Sequence, residues 1–293
     1  MSSYYYTRRE DMRVIKMKNV CAGYNGEEVL HDINLEFEPG KVTVIIGPNG
    51  CGKSTLLKTL VKLNEHSSGE ILVKKSGCDE DLSQKIHPGG EGIEHSDIQE
   101  RYIAISELSS ANLAQRIAYL PQNKRTPDIG VLRMVLHGRF AYLKYPRRYR
   151  KEDYDMARKA LEQVGIEALA EKNVNELSGG TRQKVYIAMA LAQDTDTILL
   201  DEPTTYLDIA HQIKMMKLAK ELADNGKAVV MVLHDLVQGF QTADKIVVMD
   251  KGYLKACGEP EEVYASGVVE EVFGVHFERV KIEDEWRYYV CEE

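Results

Sequence analysis

The spacing of apolar positions changes period several times along the chain, and each change predicts an element. From Met12, RVIKMKNVCAGY and then VLHDINLEF show partial alternation with β-branched residues, separated by Asn25-Gly26. That pattern predicts two antiparallel strands joined by a tight turn. Glu38-Pro39-Gly40 is a further turn, and Val42 to Ile46 (VTVII) is a continuous apolar run of the kind a fully buried strand requires. Leu56, Leu57, Leu60 and Leu63 then recur at helical spacing. Ser67-Ser68-Gly69 breaks the pattern, and Glu70 to Lys74 predicts another strand.

Between about Ser76 and Arg101 the sequence turns to Gly, Asp, Glu and Ser with few apolar residues, too few to supply a core face, so an exposed insertion is expected. His87 and His95 lie there among acidic residues but without ligand spacing, which favours a solvated loop over a metal site. Order resumes at Tyr102, and Ile117 to Gln122 (IAYLPQ) predicts a short strand. Asp128 to Gln193 is helical in pattern and is expected to form a helical subdomain. Within it Lys144 to Lys151 (KYPRRYRK) is a dense basic patch, either a solvated face or a docking surface for an acidic or membrane-proximal partner. From Thr197 the pattern alternates: TILLD, a helix over Ile209 to Asp224, AVVMVLHD, a helix over Leu236 to Thr242, and KIVVMD. Near-continuous apolar strands separated by amphipathic helices imply a parallel sheet covered on both faces. After Gly258 come two short helices (Glu261 to Tyr264, Val268 to Phe273) and a closing hairpin, HFERVKI with WRYYV.

Composition narrows the function classes. The 293 residues are 43% hydrophobic, enough for a real core. A net charge of −8 and a pI near 5.6 leave no broad basic surface to follow a phosphate backbone, so nucleic acid is not an expected partner. Five dispersed cysteines with no C-x-x-C pair argue for a reducing compartment and against disulfides or zinc. No run of about 18 apolar residues occurs, and MSSYYYTRRED, expected to be a loose leader, lacks the apolar segment of a signal peptide. Action at a membrane would therefore need another polypeptide.

The chemistry is concentrated in a few motifs. Gly47-Pro48-Asn49-Gly50-Cys51-Gly52-Lys53-Ser54-Thr55 fits G-x-x-x-x-G-K-[ST], with a strand before it and a helix after it. Glycines let backbone N–H groups converge on phosphate oxygens, the helix opening at Lys53 aims its positive end there, Lys53 adds a charged donor, and the Ser54 hydroxyl suits Mg²⁺. Each charge-assisted bond is worth roughly 1.5–3 kcal/mol. Asp201 and Glu202 end a predicted strand at the edge where such sheets bind ligands, and two carboxylates so close repel unless a cation intervenes. Asp201 is placed to hold Mg²⁺ through water, and Glu202 to orient or deprotonate an attacking water. Ser178-Gly179-Gly180 offers a second glycine-rich helix start, which makes sense if it completes the site of a neighbouring copy.

Together these motifs resemble an ATP-binding cassette ATPase, the motor subunit of a membrane transporter. LSGGT (Leu177 to Thr181) is similar to that family's signature, Gln122 to its Q-loop glutamine, Tyr206-Leu207-Asp208 to its D-loop, His234 to its switch histidine and Tyr24 to the aromatic that stacks on adenine. The likeness runs from about Met12 to Tyr264. It implies an α/β fold: a P-loop NTPase core, a mostly parallel sheet flanked by helices, with an antiparallel β subdomain and a helical subdomain. The expected division is an ATP-binding domain over residues 12–258, with its insertion near 76–101 and helical subdomain near 128–193, and a C-terminal extension over 259–293. It implies catalysis by Lys53, Glu202 and His234. ATP would be bound by Tyr24, residues 47–55, Gln122, Ser178, Gly179, Gly180 and Asp208, with Mg²⁺ on Ser54, Gln122 and Asp201. It implies a head-to-tail homodimer, integral membrane permease subunits, an indirect extracytoplasmic solute-binding protein, and a place on the cytoplasmic face of the membrane. GRFAYL and the stretch from IAMALAQ to IKMM are similar to importers of ferric siderophores, haem and cobalamin. Two features depart from the pattern: Thr181 stands where the family commonly has Gln, and the acidic insertion is unusual. A non-transport cassette ATPase, a motor for another cargo and an exporter are the alternatives. Paired cassettes or long coiled-coil insertions, features of the non-transport class, do not occur in this chain.

Overall fold

The computed structural model describes residues 14–75, 101–122, 127–205 and 207–291. The acidic insertion, apart from Arg101, and Tyr206 of the D-loop motif lie outside the described residues. The chain opens with the expected hairpin, β1 (Ile15–Tyr24) against β2 (Glu27–Phe37), closed at Asn25-Gly26 with φ of 52° and 85°, both left-handed as a two-residue turn requires. These strands join β4 (His66–Lys74) and β5 (Tyr102–Ala104) in an antiparallel sheet ordered β2-β1-β4-β5. Ser67-Ser68-Gly69 does not break this segment: β4 runs through it, and the pairing with β1 slips between Lys18 and Cys21. Gly69 sits in that bulge at φ 84°, where a Cβ would lie 2.3 Å from the Asn19 carbonyl oxygen.

The second sheet is ordered β10-β9-β3-β8-β7-β6, with β3 (Val42–Ile46), β6 (Ile117–Leu120), β7 (Thr197–Asp201), β8 (Ala228–Val232) and β9 (Lys245–Asp250) parallel. An antiparallel edge strand, β10 (Tyr253–Gly258), completes it. Side chains alternate between two cores. Val44, Ile198, Leu200, Met231 and Val248 face one, shared with the helical segment and the tail. Ile45, Leu199, Val230, Val232 and Met249 face the other, shared with the antiparallel sheet and α1 (Lys53–Leu60). Both faces are therefore covered, as the continuous apolar strands require. Helix α1 ends before Leu63, which is largely exposed, so the last leucine of the helical pattern contributes nothing to this core.

A short helix, α2 (Ser110–Ala114), precedes β6, and the helical segment then contributes α3 (Val131–Leu136), α4 (Lys151–Gln163) and α5 (Gly179–Ala192), with short 3₁₀ turns between them. Gly138 permits a close approach to α5: a Cβ there would meet the Met189 carbonyl oxygen at 2.2 Å. Then follow α6 (Ile209–Asp224), α7 (Leu236–Thr242), α8 (Pro260–Ala265) and α9 (Val268–Phe273). The chain finishes in the expected hairpin, β11 (His276–Ile282) with β12 (Glu285–Cys291). Phe277 and Tyr288 stack on each other and pack against Phe240 of α7 and Tyr264 of α8, which seats the hairpin on the core.

Candidate active site

The loop between β3 and α1 is shaped by two tight positions. Gly47 lies so close to the end of β9 that a Cβ would be 2.2 Å from the Met249 carbonyl oxygen. Gly52 precedes α1 at φ 106°, a left-handed conformation, and a Cβ there would be 2.8 Å from Leu30 Cδ2. Lys53 is buried, and its ammonium donates to the carbonyls of Gly47 at 2.6 Å and Pro48 at 2.9 Å. A buried cation needs partners, and these carbonyls hold the charge within the curl of the loop. The Cys51 thiol lies 3.9 Å from Lys53 Nζ; burial pushes its pKa up more than the lysine draws it down, so it is a neutral filler.

The two carboxylates leave β7 in different directions. Asp201 is buried and accepts from Ser54 Oγ at 2.9 Å on Oδ1 and from Tyr119 Oη at 3.2 Å on Oδ2. Burial raises its pKa, the two hydroxyl bonds lower it, and the Glu202 charge raises it. Glu202 turns out of the strand at φ 51° and is anchored by its N–H to the Val232 carbonyl at 3.2 Å. Such a conformation costs a non-glycine residue about 1–3 kcal/mol and here redirects the side chain. Its Oε1 meets Nε2 of His234, and its Oε2 accepts from the Gln122 amide and, at 3.2 Å, from Thr205 Oγ.

Asn49, Gly50, Gly52, Lys53, Ser54, Thr55, Gln122, Glu202 and His234 line a single cavity of about 420 Å³. Residues more than 180 positions apart in sequence thus converge as the motifs predict. Tyr24 stands beside it, its hydroxyl 3.2 Å from Thr55 Oγ, its ring partly exposed and the Lys58 ammonium 5.9 Å from the ring centroid. Ser54 Oγ and Asp201 form a pair of hard oxygen donors, which suits Mg²⁺ rather than a softer metal, and Gln122 lines the cavity with its amide nitrogen on Glu202.

Ser178, Gly179, Gly180 and Asp208 do not line this cavity. Ser178 caps α5 and is exposed, as is Gly179; Ser178 Oγ accepts from the Thr181 N–H at 3.3 Å and pairs with the Thr181 hydroxyl at 2.9 Å. Asp208 caps α6 through the His211 N–H at 2.8 Å, which holds its carboxyl below the usual range. One contact ties α5 to the rim of the cavity: the Gln183 amide donates to the Pro203 carbonyl at 2.9 Å, one residue beyond Glu202.

Tyr119 and Thr205 are site residues that the sequence reasoning did not single out. Tyr119 sits inside IAYLPQ and Thr205 just before Tyr206-Leu207-Asp208, and the available signal was a hydroxyl beside residues already assigned to chemistry.

A family model described as ABC transporter matches residues 30–205. The chain is 37% identical over 263 residues to the petrobactin import ATP-binding protein FpuD of Bacillus anthracis, covering 89% of this chain and 86% of that protein. It is also 37% identical over 268 residues to the ferric enterobactin transport ATP-binding protein FepC of Escherichia coli (strain K12), covering 91% and 89%. Among solved structures, a chain of a metal-chelate type ABC transporter in an inward-facing conformation is 25% identical, with a TM-score of 0.75 over 96% of this chain and 98% of that one.

Proposed function

Because this chain belongs to the ABC transporter family of ATP-hydrolysing subunits, we propose that it powers import of an iron chelate of the siderophore or haem type through partner membrane subunits. The observation that carries this reading is the meeting of Lys53, Ser54, Gln122, Glu202 and His234 around one cavity. Petrobactin, enterobactin and hemin importers among its relatives support the cargo class. Among the described residues no helix is long and apolar enough to cross a membrane. In this reading permease subunits carry the cargo, an extracytoplasmic binding protein delivers it, and this chain works at the cytoplasmic face.

The residues divide the work. Backbone N–H groups of residues 49–55, at the start of α1, cradle the phosphates of ATP, and Lys53 exchanges loop carbonyls for phosphate oxygens. Tyr24 stacks on the base. Ser54, Asp201 and Gln122 would hold Mg²⁺, which supplies charge neutralisation on the β- and γ-phosphates. Glu202 accepts the proton of the attacking water, and His234 holds that carboxylate and faces the γ-phosphate.

The exposed start of α5, Ser178 to Gly180, completes the site of a second copy in a head-to-tail homodimer, with Asp208 at the seam. Its position outside this chain's own cavity and the N–H groups of Gly179 and Gly180, which the Ser178 cap does not take, support that assignment. ATP closes the pair, and hydrolysis releases it. The test is Glu202→Gln, purified and mixed with ATP. Stable dimers by light scattering, absent with ADP, are expected; ATP binding without dimerisation overturns the composite site. Copurification of this subunit with a many-helix permease and an iron-chelate binding protein tests the cargo, and a permease specific for other chemistry overturns it.

A further inference from the structure

We infer that Tyr119 is a positioning residue for the divalent cation, holding Asp201 in the rotamer that presents its Oδ1 oxygen to Ser54. The inference rests on the reading of Ser54 and Asp201 as the Mg²⁺-holding pair. Tyr119 lies on β6, the strand that borders β7, in register with Leu199. Residues 199 and 201 share one face of β7, so a long side chain opposite Leu199 reaches diagonally to Asp201. The ring packs against the core beneath the antiparallel sheet, which fixes its direction.

The consequence follows from counting oxygens. Asp201 is only 1% exposed, so each carboxylate oxygen needs a donor from the protein. Ser54 serves Oδ1 at 2.9 Å and Tyr119 serves Oδ2 at 3.2 Å. Without the phenol, Oδ2 has no donor of its own and the carboxylate turns to share the serine hydroxyl. That hydroxyl is the oxygen a cation would take. The phenol therefore acts on the cation through Asp201, and touches neither nucleotide nor metal itself.

The experiment measures affinity for a fluorescent ATP analogue with Mg²⁺ and with EDTA, in wild type, Tyr119→Phe and Asp201→Asn, with thermal melting to confirm the fold. The phenylalanine keeps the ring in its packing and removes the donor. In Tyr119→Phe, EDTA affinity within about twofold of wild type and a Mg²⁺-dependent gain smaller by about tenfold are expected, the size of one lost bond to a charged group. Electron paramagnetic resonance of Mn²⁺ with nucleotide should show weaker cation binding in the same variant. If Asp201→Asn loses the Mg²⁺-dependent gain while Tyr119→Phe keeps it whole, the positioning role is overturned and the cation site stands. If Asp201→Asn itself keeps the gain, the assignment of Asp201 to the cation falls, and this inference with it.

Discussion

His234, two residues past the end of β8, meets Oε1 of Glu202, one residue past the end of neighbouring β7. Adjacent parallel strands thus deliver the two halves of a carboxylate–imidazole pair to one rim of the cavity, the edge at which such sheets bind ligands. In the proposed mechanism Glu202→Gln removes the base and His234→Ala releases it. Each is expected to lower kcat by about 100-fold or more, with ATP affinity changed only a few-fold. Phosphate release, paired with nucleotide titration, checks the split.

Thr205 gives Glu202 a neutral hydroxyl donor at 3.2 Å, on the oxygen that Gln122 also engages. Replacing it with valine removes one bond of about 1 kcal/mol, so a fall of about fivefold in kcat is expected, with KM little changed. Thr205→Ser should restore the rate. Steady-state kinetics of the two variants decide it, and equal losses in both would assign Thr205 to packing alone.

Gly47→Ala places a methyl against the Met249 carbonyl, a backbone atom that cannot move aside cheaply. A loss of about 1–3 kcal/mol in urea unfolding is expected, together with loss of nucleotide binding, because the loop must lift from β9. Gly138→Ala makes an equally close contact, with the Met189 carbonyl, away from the cavity. It should lower stability by a similar amount and leave nucleotide affinity intact.

How far the sequence carries can be judged from particular residues. The parallel sheet was legible because VTVII, TILLD and AVVMV are apolar at successive positions, which only a strand buried on both faces tolerates. Lys53, Ser54, Asp201 and Glu202 were legible because each sits in a motif that suits phosphate chemistry, whereas Gln122 and His234 were legible only through the family resemblance. β10 escaped because YLKACG, with side chains alternately exposed and half-buried, lies on a solvated edge and lacks a dense apolar run. The course of β4 through Ser67-Ser68-Gly69 escaped because a bulge is set by the partner strand's register, which no local pattern contains. Tyr119 and Thr205 escaped because their roles depend on a neighbour across a strand or around a turn. A hydroxyl in sequence does not name its acceptor.

The tail carries a pH-dependent contact that can be checked by melting. His276 lies within 2.9 Å of both Glu270 and Glu278, and the bond to Glu278 raises its pKa above the ordinary 6.5. A histidine raised in the folded state contributes fully below 6.5, and that contribution is lost as pH rises through the raised value. Glu278 is lowered from the ordinary 4.5, first by its bond from Tyr289, so its contribution is full above 4.5 and lost as pH falls through the lowered value. The cluster is therefore strongest between those two ordinary values. The melting advantage of wild type over His276→Gln should be larger at about pH 6 than at about pH 8.5, and an advantage independent of pH would show that the ring acts by packing alone.

Gln183 of α5 grips the carbonyl of Pro203, the residue next to Glu202, while the same helix is capped by Ser178. What this chain would offer to a twin and what it keeps for its own reaction are hence yoked by one amide. A pull on α5 from outside would travel less than one helix before it reached the proposed base, so leverage as well as chemistry would set the timing of such a motor.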